Sequence, residues 1–484
     1  MKRIDRMRRL SVNRENVIYF GVFAVFAVFF GVLYFTGEPI YVGDTYQYEH
    51  QMIMREPVYA LLIQFVRFLS PENHFQIIIA LQNLLAVVAN TAVIVFLRRR
   101  LGLSAPEAFL FAGILLMPHI MTPVLSRTHL LLTNALMTEG ISYSLYPIAF
   151  MSLLDMMWDG KPVSRKSFRT LALFWLLTLI RGQMMVLFVV WFLAAFVLTV
   201  RNAVRATGET RNAFALAEMI WKQGLLAVLA AFVIVFAARS AVIHVYNYLE
   251  QGLFVDNISG KAMSFANVLY VADREDGEAI EDDSLRELFY EMYDAADVND
   301  MNYTDAPSGI LAKAKYHEEC HDELNFTYFG ETAKTYIGKT QGIYTDRFQE
   351  LMIEVDKIAE ELSALLMPRV IGRYVSNYIN IIALGFIRTV AIELPILAWY
   401  TILIYIVAVV LTIWLWKKNP KSIAAPFMAV VLVTIVGNVC ATALMIQCIS
   451  RYMIYNFPLF YMAGFLELRE IRAMRISKSA EHTD

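Results

Sequence analysis

The chain has 484 residues, 58% hydrophobic and 18% charged, with a mean hydropathy of +0.50 and a formal charge of −2. A soluble domain has no use for that much apolar surface, and uncharged runs of 18 or more residues call for a bilayer. The near-neutral total hides an asymmetry: residues 250–361 carry 26 acidic and 9 basic side chains, the remainder 18 and 33, a division that suits two aqueous compartments and gives no reason to expect a nucleic-acid partner.

In chain order, apolar spans are predicted at 17–35, 75–97, 106–123, 133–157, 167–181, 184–200, 221–244, 394–416, 423–447 and 452–466. At about 1.5 Å per residue each approaches the ~30 Å of a bilayer core, 167–181 being short. The first span follows basic residues, but no small-residue cleavage site follows Phe35, so it reads as a retained helix rather than a removed signal. Alternate connections are basic: Lys2, Arg3, Arg6, Arg8 and Arg9 before the first span, Arg98–Arg100 after the second, Lys161, Arg165, Lys166 and Arg169 after the fourth. Arg201, Arg205 and Arg211 follow the sixth, Lys417, Lys418 and Lys421 the eighth, and Arg469, Arg472 and Arg475 the tenth. The positive-inside rule makes all of these, and both termini, cytoplasmic. That parity leaves no room for 56–69 or 371–392 to cross alone, so both are expected as interfacial or re-entrant helices on the outer face.

The expected fold class is an all-α polytopic membrane protein of about ten transmembrane helices. Residues 1–249 hold about seven of them. Residues 250–392 form an acidic, mainly helical external domain with helix-like stretches at 283–296 and 344–366, and 393–484 the last three helices with a cytoplasmic tail. Of three cysteines only Cys320 lies in the polar segment, so no disulfide framework or zinc spacing is present. Asn257, Asn302 and Asn325 head Asn-x-Ser/Thr sequons in that segment, accessible to glycosylation in a eukaryote. The lack of external cysteine pairs favours a bacterial plasma (inner) membrane.

Chemistry-bearing residues gather at the outer ends of the spans. The first external loop carries Asp44, then Arg55, Glu56, Pro57 and Tyr59 opening an apolar helix. Thr138 and Glu139 follow the second external loop, Thr178 and Arg181 close a helix, and Arg451, Tyr452 and Pro458 open a late one. On these residues the chain resembles the GT-C superfamily of membrane glycosyltransferases, such as protein O-mannosyltransferases and lipid A aminoarabinose transferases. The spacing from Arg451 to Pro458 is longer than the common form, and the external domain matches no familiar pattern. The resemblance implies an inverting hexosyl- or pentosyltransferase that moves a sugar from a polyprenyl-phosphate donor to a glycan, lipid or protein acceptor outside the cytoplasm.

Such a transfer needs a carboxylate for the acceptor's proton and cations for the departing phosphate, at a membrane–water boundary. By resemblance Asp44 holds the place of the base, the alternative being a carboxylate capping its own turn. Glu139 is the second catalytic candidate, or else a structural ion pair with Arg127 or Arg181. Arg55, Arg181 and Arg451 are the donor-phosphate candidates, interfacial anchoring being the alternative for the first two. Glu56, Tyr46, Tyr59 and His129 are substrate-binding candidates, with Tyr41 and Tyr48 also placed to stack on a sugar. His50 and His119 read as interfacial polar groups. No Asp-x-Asp pattern surrounds Asp44, so no metal is expected to be required; a divalent cation is the alternative, with Glu281, Asp282 and Asp283 as a weak substitute cluster. A lipid-linked polysaccharide polymerase or ligase using external Arg and His, and a transporter or flippase, are the competing readings.

Overall fold

A computed structural model describes residues 2–126, 129–207, 213–258, 260–392 and 395–481, with side chains of the first helix described from residue 15 and of the last to residue 476. Arg127, Arg211 and Leu394 therefore lie outside the described residues. Within them the chain is helical almost throughout, and the only strand-like pairing is an isolated parallel bridge between Ile40 and Ala135.

Eight helices among the described residues are long and apolar enough to cross a membrane. The bundle is built from α1 (Lys2–Thr36), α4 (His74–Leu101), α5 (Ala105–Leu125), α6 (Glu139–Asp159), α7 (Arg165–Ile180), α8 (Val186–Thr207), α9 (Ala213–Ile220) continuing into α10 (Leu226–Gln251), α16 (Ala398–Lys418), α17 (Ala424–Met445) and α19 (Phe457–Glu481). Its outer surface is an apolar belt: Phe20, Val28, Val233, Ile402 and Trp399 are all more than half exposed. An aqueous protein does not leave so much contiguous apolar surface uncovered, whereas lipid covers it at no cost.

One end of the bundle is basic and laced with ion pairs. Arg98 reaches Glu15 at 2.6 Å, Arg100 reaches Asp159 at 3.0 Å, and Lys166 and Arg169 both hold Asp155. Glu470 of α19 accepts from the backbone N–H groups of Ile423 and Ala424 at the start of α17, both at 3.0 Å, satisfying donors that a helix start leaves unpaired. The other end carries the short helices α2 (Gly43–Glu49) and α3 (Pro57–Leu69) and a separate polar unit.

That unit contains α11 (Gly260–Val271), α12 (Asp283–Asp297), α13 (Ile310–Glu323), α14 (Thr332–Gln341) and the long α15 (Phe348–Ala391). Phe265, Leu269, Phe289, Met292, Phe329, Leu362 and Leu366 form its own apolar core. Asp282 caps α12 by accepting from Ser284 N and Leu285 N, so the acidic run at 281–283 is used as a helix start. Asn302 and Asn325 are buried, which corrects the expectation that their sequons are open to glycosylation. The three cysteines are free thiols.

The second half of α15 packs against α17 and α19, and the helical stretch that contains it, Thr345–Ala391, is one of the eight long and apolar enough to cross. Tyr374 donates to Leu444 O (3.3 Å), Tyr378 to Cys440 O (3.1 Å), and Val390 O accepts from Tyr461 (2.8 Å). All three partners lie in or near the ends of α17 and α19 closest to the polar unit. From there α16 starts at the same level, with Tyr400 and Tyr461 bonded at 2.9 Å. An interfacial course is expected for 371–392 from the sequence, but the helix that holds it is long and apolar enough to cross; α3, at 13 residues, is too short to do so.

Candidate functional site

Two loops at the polar-unit end are stitched together before any charged group is placed. Ile40 N donates to Asn134 O (2.9 Å) and Leu136 N to Ile40 O (3.0 Å), while the fully buried Thr45 donates to Leu136 O (2.8 Å). Asp44, in the first turn of α2, is thereby fixed beside the start of α6, where Glu139 stands. Gln82 of α4 holds the second loop from below: its amide donates to Thr133 O and Ala135 O (2.9 and 3.0 Å) and accepts from Tyr59 OH (2.8 Å). A Cβ at position 140 would stand 2.4 Å from that amide, which is why glycine follows Glu139.

The charged groups then converge from four stretches of chain. Arg55 Nη2 donates to Asp44 Oδ1 at 2.7 Å and its Nε to Gln47 at 2.6 Å, so this guanidinium is committed. Arg181, where α7 ends, reaches Glu139 at 2.8 Å, Thr138 at 3.0 Å and Gln183 at 2.9 Å. Arg451, on the short α18 (Ser450–Met453), stands between both carboxylates, 3.9 Å from Asp44 Oδ2 and 3.8 Å from Glu139 Oε1. These exceed hydrogen-bonding distance. The side chain of Arg451 donates to Tyr452 OH (3.0 Å) and leaves its buried Nε without an acceptor. The Tyr452 ring lies 4.8 Å from the Arg181 guanidinium and 5.0 Å from that of Arg451. Asp44 and Arg451 keep 30% and 21% exposure, whereas Glu139 keeps 2%. Three guanidinium groups against two carboxylates leave a local excess of one positive charge, open to solvent on the Asp44–Arg451 side.

Glu56 lies behind this group, its carboxyl pushed above the usual range by burial and opposed by Arg239 at 3.6 Å. Arg239, in the middle of an apolar helix, was not singled out from the sequence. It is 8% exposed, its Nε has no hydrogen-bond partner among the described residues, and it pairs loosely with Glu56 and with Asp256 (3.9 Å). A lone arginine inside an apolar span was the available signal, since such a charge survives in a bilayer only where it faces partners or a cavity.

The remaining candidates divide. Tyr59 has no exposed surface, buried against Tyr48 and Gln82, so its expected role in stacking on a ligand is corrected: it is a packing residue. Tyr48 is likewise buried, its phenol pushed up to about 12 by burial, with the Arg55 guanidinium 5.3 Å from its ring. Tyr46 is half exposed, its ring tilted against that of His50 with centroids 3.9 Å apart. His129 is exposed, its Nδ1 bonded to Pro123 O (2.9 Å), and no described contact joins it to the arginines. His119 is buried beside Phe30 and Tyr143 inside the bundle. Glu139 takes the ion-pair alternative with Arg181. Among the described residues no group of three or more His, Cys, Asp or Glu side chains is placed to hold a metal ion.

Fold and site together define an all-α polytopic membrane protein with a charged, partly open cluster at the end of the bundle opposite its basic face. Compared with protein-family models, curated proteins and solved structures, the chain matches none.

Proposed function

We propose that this chain is a GT-C-type glycosyltransferase that moves a sugar from a polyprenyl-phosphate donor to a glycan, lipid or protein acceptor. Its site would face the non-cytoplasmic side, by the positive-inside rule applied to the basic end, with both termini cytoplasmic in a bacterial plasma membrane. The observation that carries the reading is the pairing of Asp44 with Arg451: a partly exposed carboxylate beside a guanidinium that no carboxylate hydrogen-bonds. The phosphate of a membrane-anchored donor fits the open valences of Arg451, with Arg181 behind it. Asp44 Oδ2, free of hydrogen bonds, takes the proton from the acceptor hydroxyl as its oxygen attacks the anomeric carbon. The carbon–oxygen bond to phosphate breaks, and the departing dianion is stabilised by the arginines. Glu139 serves as a positioning group that holds Arg181 and faces Arg451.

The test uses the full chain in vesicles with a radiolabelled polyprenyl-phosphate sugar and a mixed acceptor pool. Transfer of label that Arg451→Ala abolishes supports the reading. Movement of intact donor across a sealed vesicle without a glycosidic product would instead make the chain a flippase. The polymerase or ligase reading leans on His129, which no contact among the described residues ties to the cluster; activity that needs His129 and not Asp44 would revive it.

A further inference from the structure

Arg451 owes its place to a short irregular segment, and that segment is held from outside the bundle. Residues 446–449 join α17 to α18, with Ile446 in an extended conformation at the end of α17. Gln447 Nε2 donates to Asp322 Oδ1 at 3.0 Å. Cys448 O accepts from Arg388 Nη1 at 2.9 Å, and Arg388 is paired with Glu318 Oε2 at 2.8 Å, both side chains being less than a tenth exposed. Just upstream, Leu444 O accepts from Asn267 and Tyr374. Every one of these partners belongs to α11, α13 or α15 of the polar unit.

The arrangement is specific in sequence terms. Glu318 and Asp322 are four residues apart on α13, so they share one helix face, and that face meets the segment. Opposite it, a Cβ at Gly385 of α15 would come within 3.1 Å of the Cys448 side chain and 2.8 Å of Val439, so α15 can approach closely only because position 385 is glycine. The Asp322 carboxyl lies below its usual range, chiefly through its hydrogen bond to His321 and further through Gln447 and the field of Arg451.

We propose that α13 is a positioning element of the site: Glu318, through Arg388, and Asp322, through Gln447, hold 446–449 and thereby set Arg451 between Asp44 and Glu139. The polar unit is then part of the donor site. This rests on reading Arg451 as a phosphate ligand.

The experiment titrates a long-chain polyprenyl monophosphate onto the full chain in lipid nanodiscs. Asp322→Ala weakens binding by about tenfold, the scale of one charge-assisted hydrogen bond. Asp322→Asn, which keeps an acceptor for Gln447, recovers most of it. In an Arg451→Ala background Asp322→Ala adds nothing, because Asp322 acts only through Arg451. Equal losses in both backgrounds, or none in either, overturn the proposal. Gln447→Met removes the same bond from the other side if Asp322→Ala does not fold. Should the wild-type chain bind no polyprenyl phosphate, the proposed function fails and the positioning is still read directly. In an Arg451→Cys chain the rate of alkylation by an aqueous maleimide rises several-fold when Asp322→Ala is added, and an unchanged rate rejects the clamp.

Discussion

Replacing Asp44 by Asn separates chemistry from structure more cleanly than any other single change. The amide keeps an oxygen where Oδ1 now accepts from Arg55 at 2.7 Å, and a pair that is 30% exposed on the acid side contributes little to folding. The backbone bonds that hold α2, from Ile40 to Asn134 and from Leu136 to Ile40, are untouched. What is lost is one negative charge and the ability to take a proton. A general base is worth ~10²–10⁴ in rate, or about 3–5 kcal/mol at 1.36 kcal/mol per tenfold, so kcat should fall by that factor. Binding of the anionic donor moves the other way. Removing a carboxylate 3.9 Å from Arg451 relieves a competitor for the guanidinium, so affinity is unchanged or rises by a few-fold. The assay is single-turnover release of labelled sugar, alongside equilibrium binding of the donor to the same preparation. Turnover within tenfold of wild type refutes the base, and parallel loss of binding and turnover makes Asp44 a structural residue.

Three further outcomes follow from individual contacts. Gly140→Ala forces the Gln82 amide away from Thr133 O and Ala135 O; overpacking of this kind costs about 1–3 kcal/mol, read as a lower thermal midpoint in detergent with donor binding reduced as well. Asp322 titrates below its ordinary 3.8 in the folded chain, so its contribution to stability is present above that value and is lost as pH falls through the folded pKa. The difference in melting between wild type and Asp322→Asn should therefore shrink as pH falls through the folded pKa, and a difference that grows as pH drops below about 4 contradicts the assignment. Burial pushes the Cys320 thiol up to about 12, so the folded chain should not be alkylated there at pH 8, while the urea-unfolded chain should be; mass mapping after proteolysis distinguishes the two.

Much of the architecture was legible because the bilayer imposes a length and a sign on each segment. Apolar runs located most of the helices long enough to cross, eight among the described residues. One of the eight, Thr345–Ala391, takes in nearly all of the stretch 371–392 that the alternation of basic connections leaves out of the count, whereas 57–69 is indeed too short. The convergence of Asp44, Arg55, Glu139, Arg181 and Arg451 was also legible, since each sits where a span ends and the spans end at one level. Other features depended on packing that no local pattern encodes. Tyr59 has the composition of an interfacial stacking residue, and only the contact with Gln82 reveals it as core. Arg239 disappeared inside a hydropathy average, although a single guanidinium there has to find Glu56 or its equivalent. The clamp on 446–449 was invisible because Glu318 and Asp322 look like two more acids in an acidic segment. Their partners, Arg388 and Gln447, lie more than sixty residues away.

A density map of the full chain in nanodiscs with a polyprenyl monophosphate would show whether a membrane-borne phosphate is received by Arg451 beside Asp44. Phosphate oxygens are expected at roughly 2.7–2.9 Å from the Arg451 guanidinium, with Asp44 Oδ2 facing the adjoining open space. Phosphate bound elsewhere, or an Arg451 closed onto Glu139 and Asp44 with the lipid present, would contradict that role for Arg451.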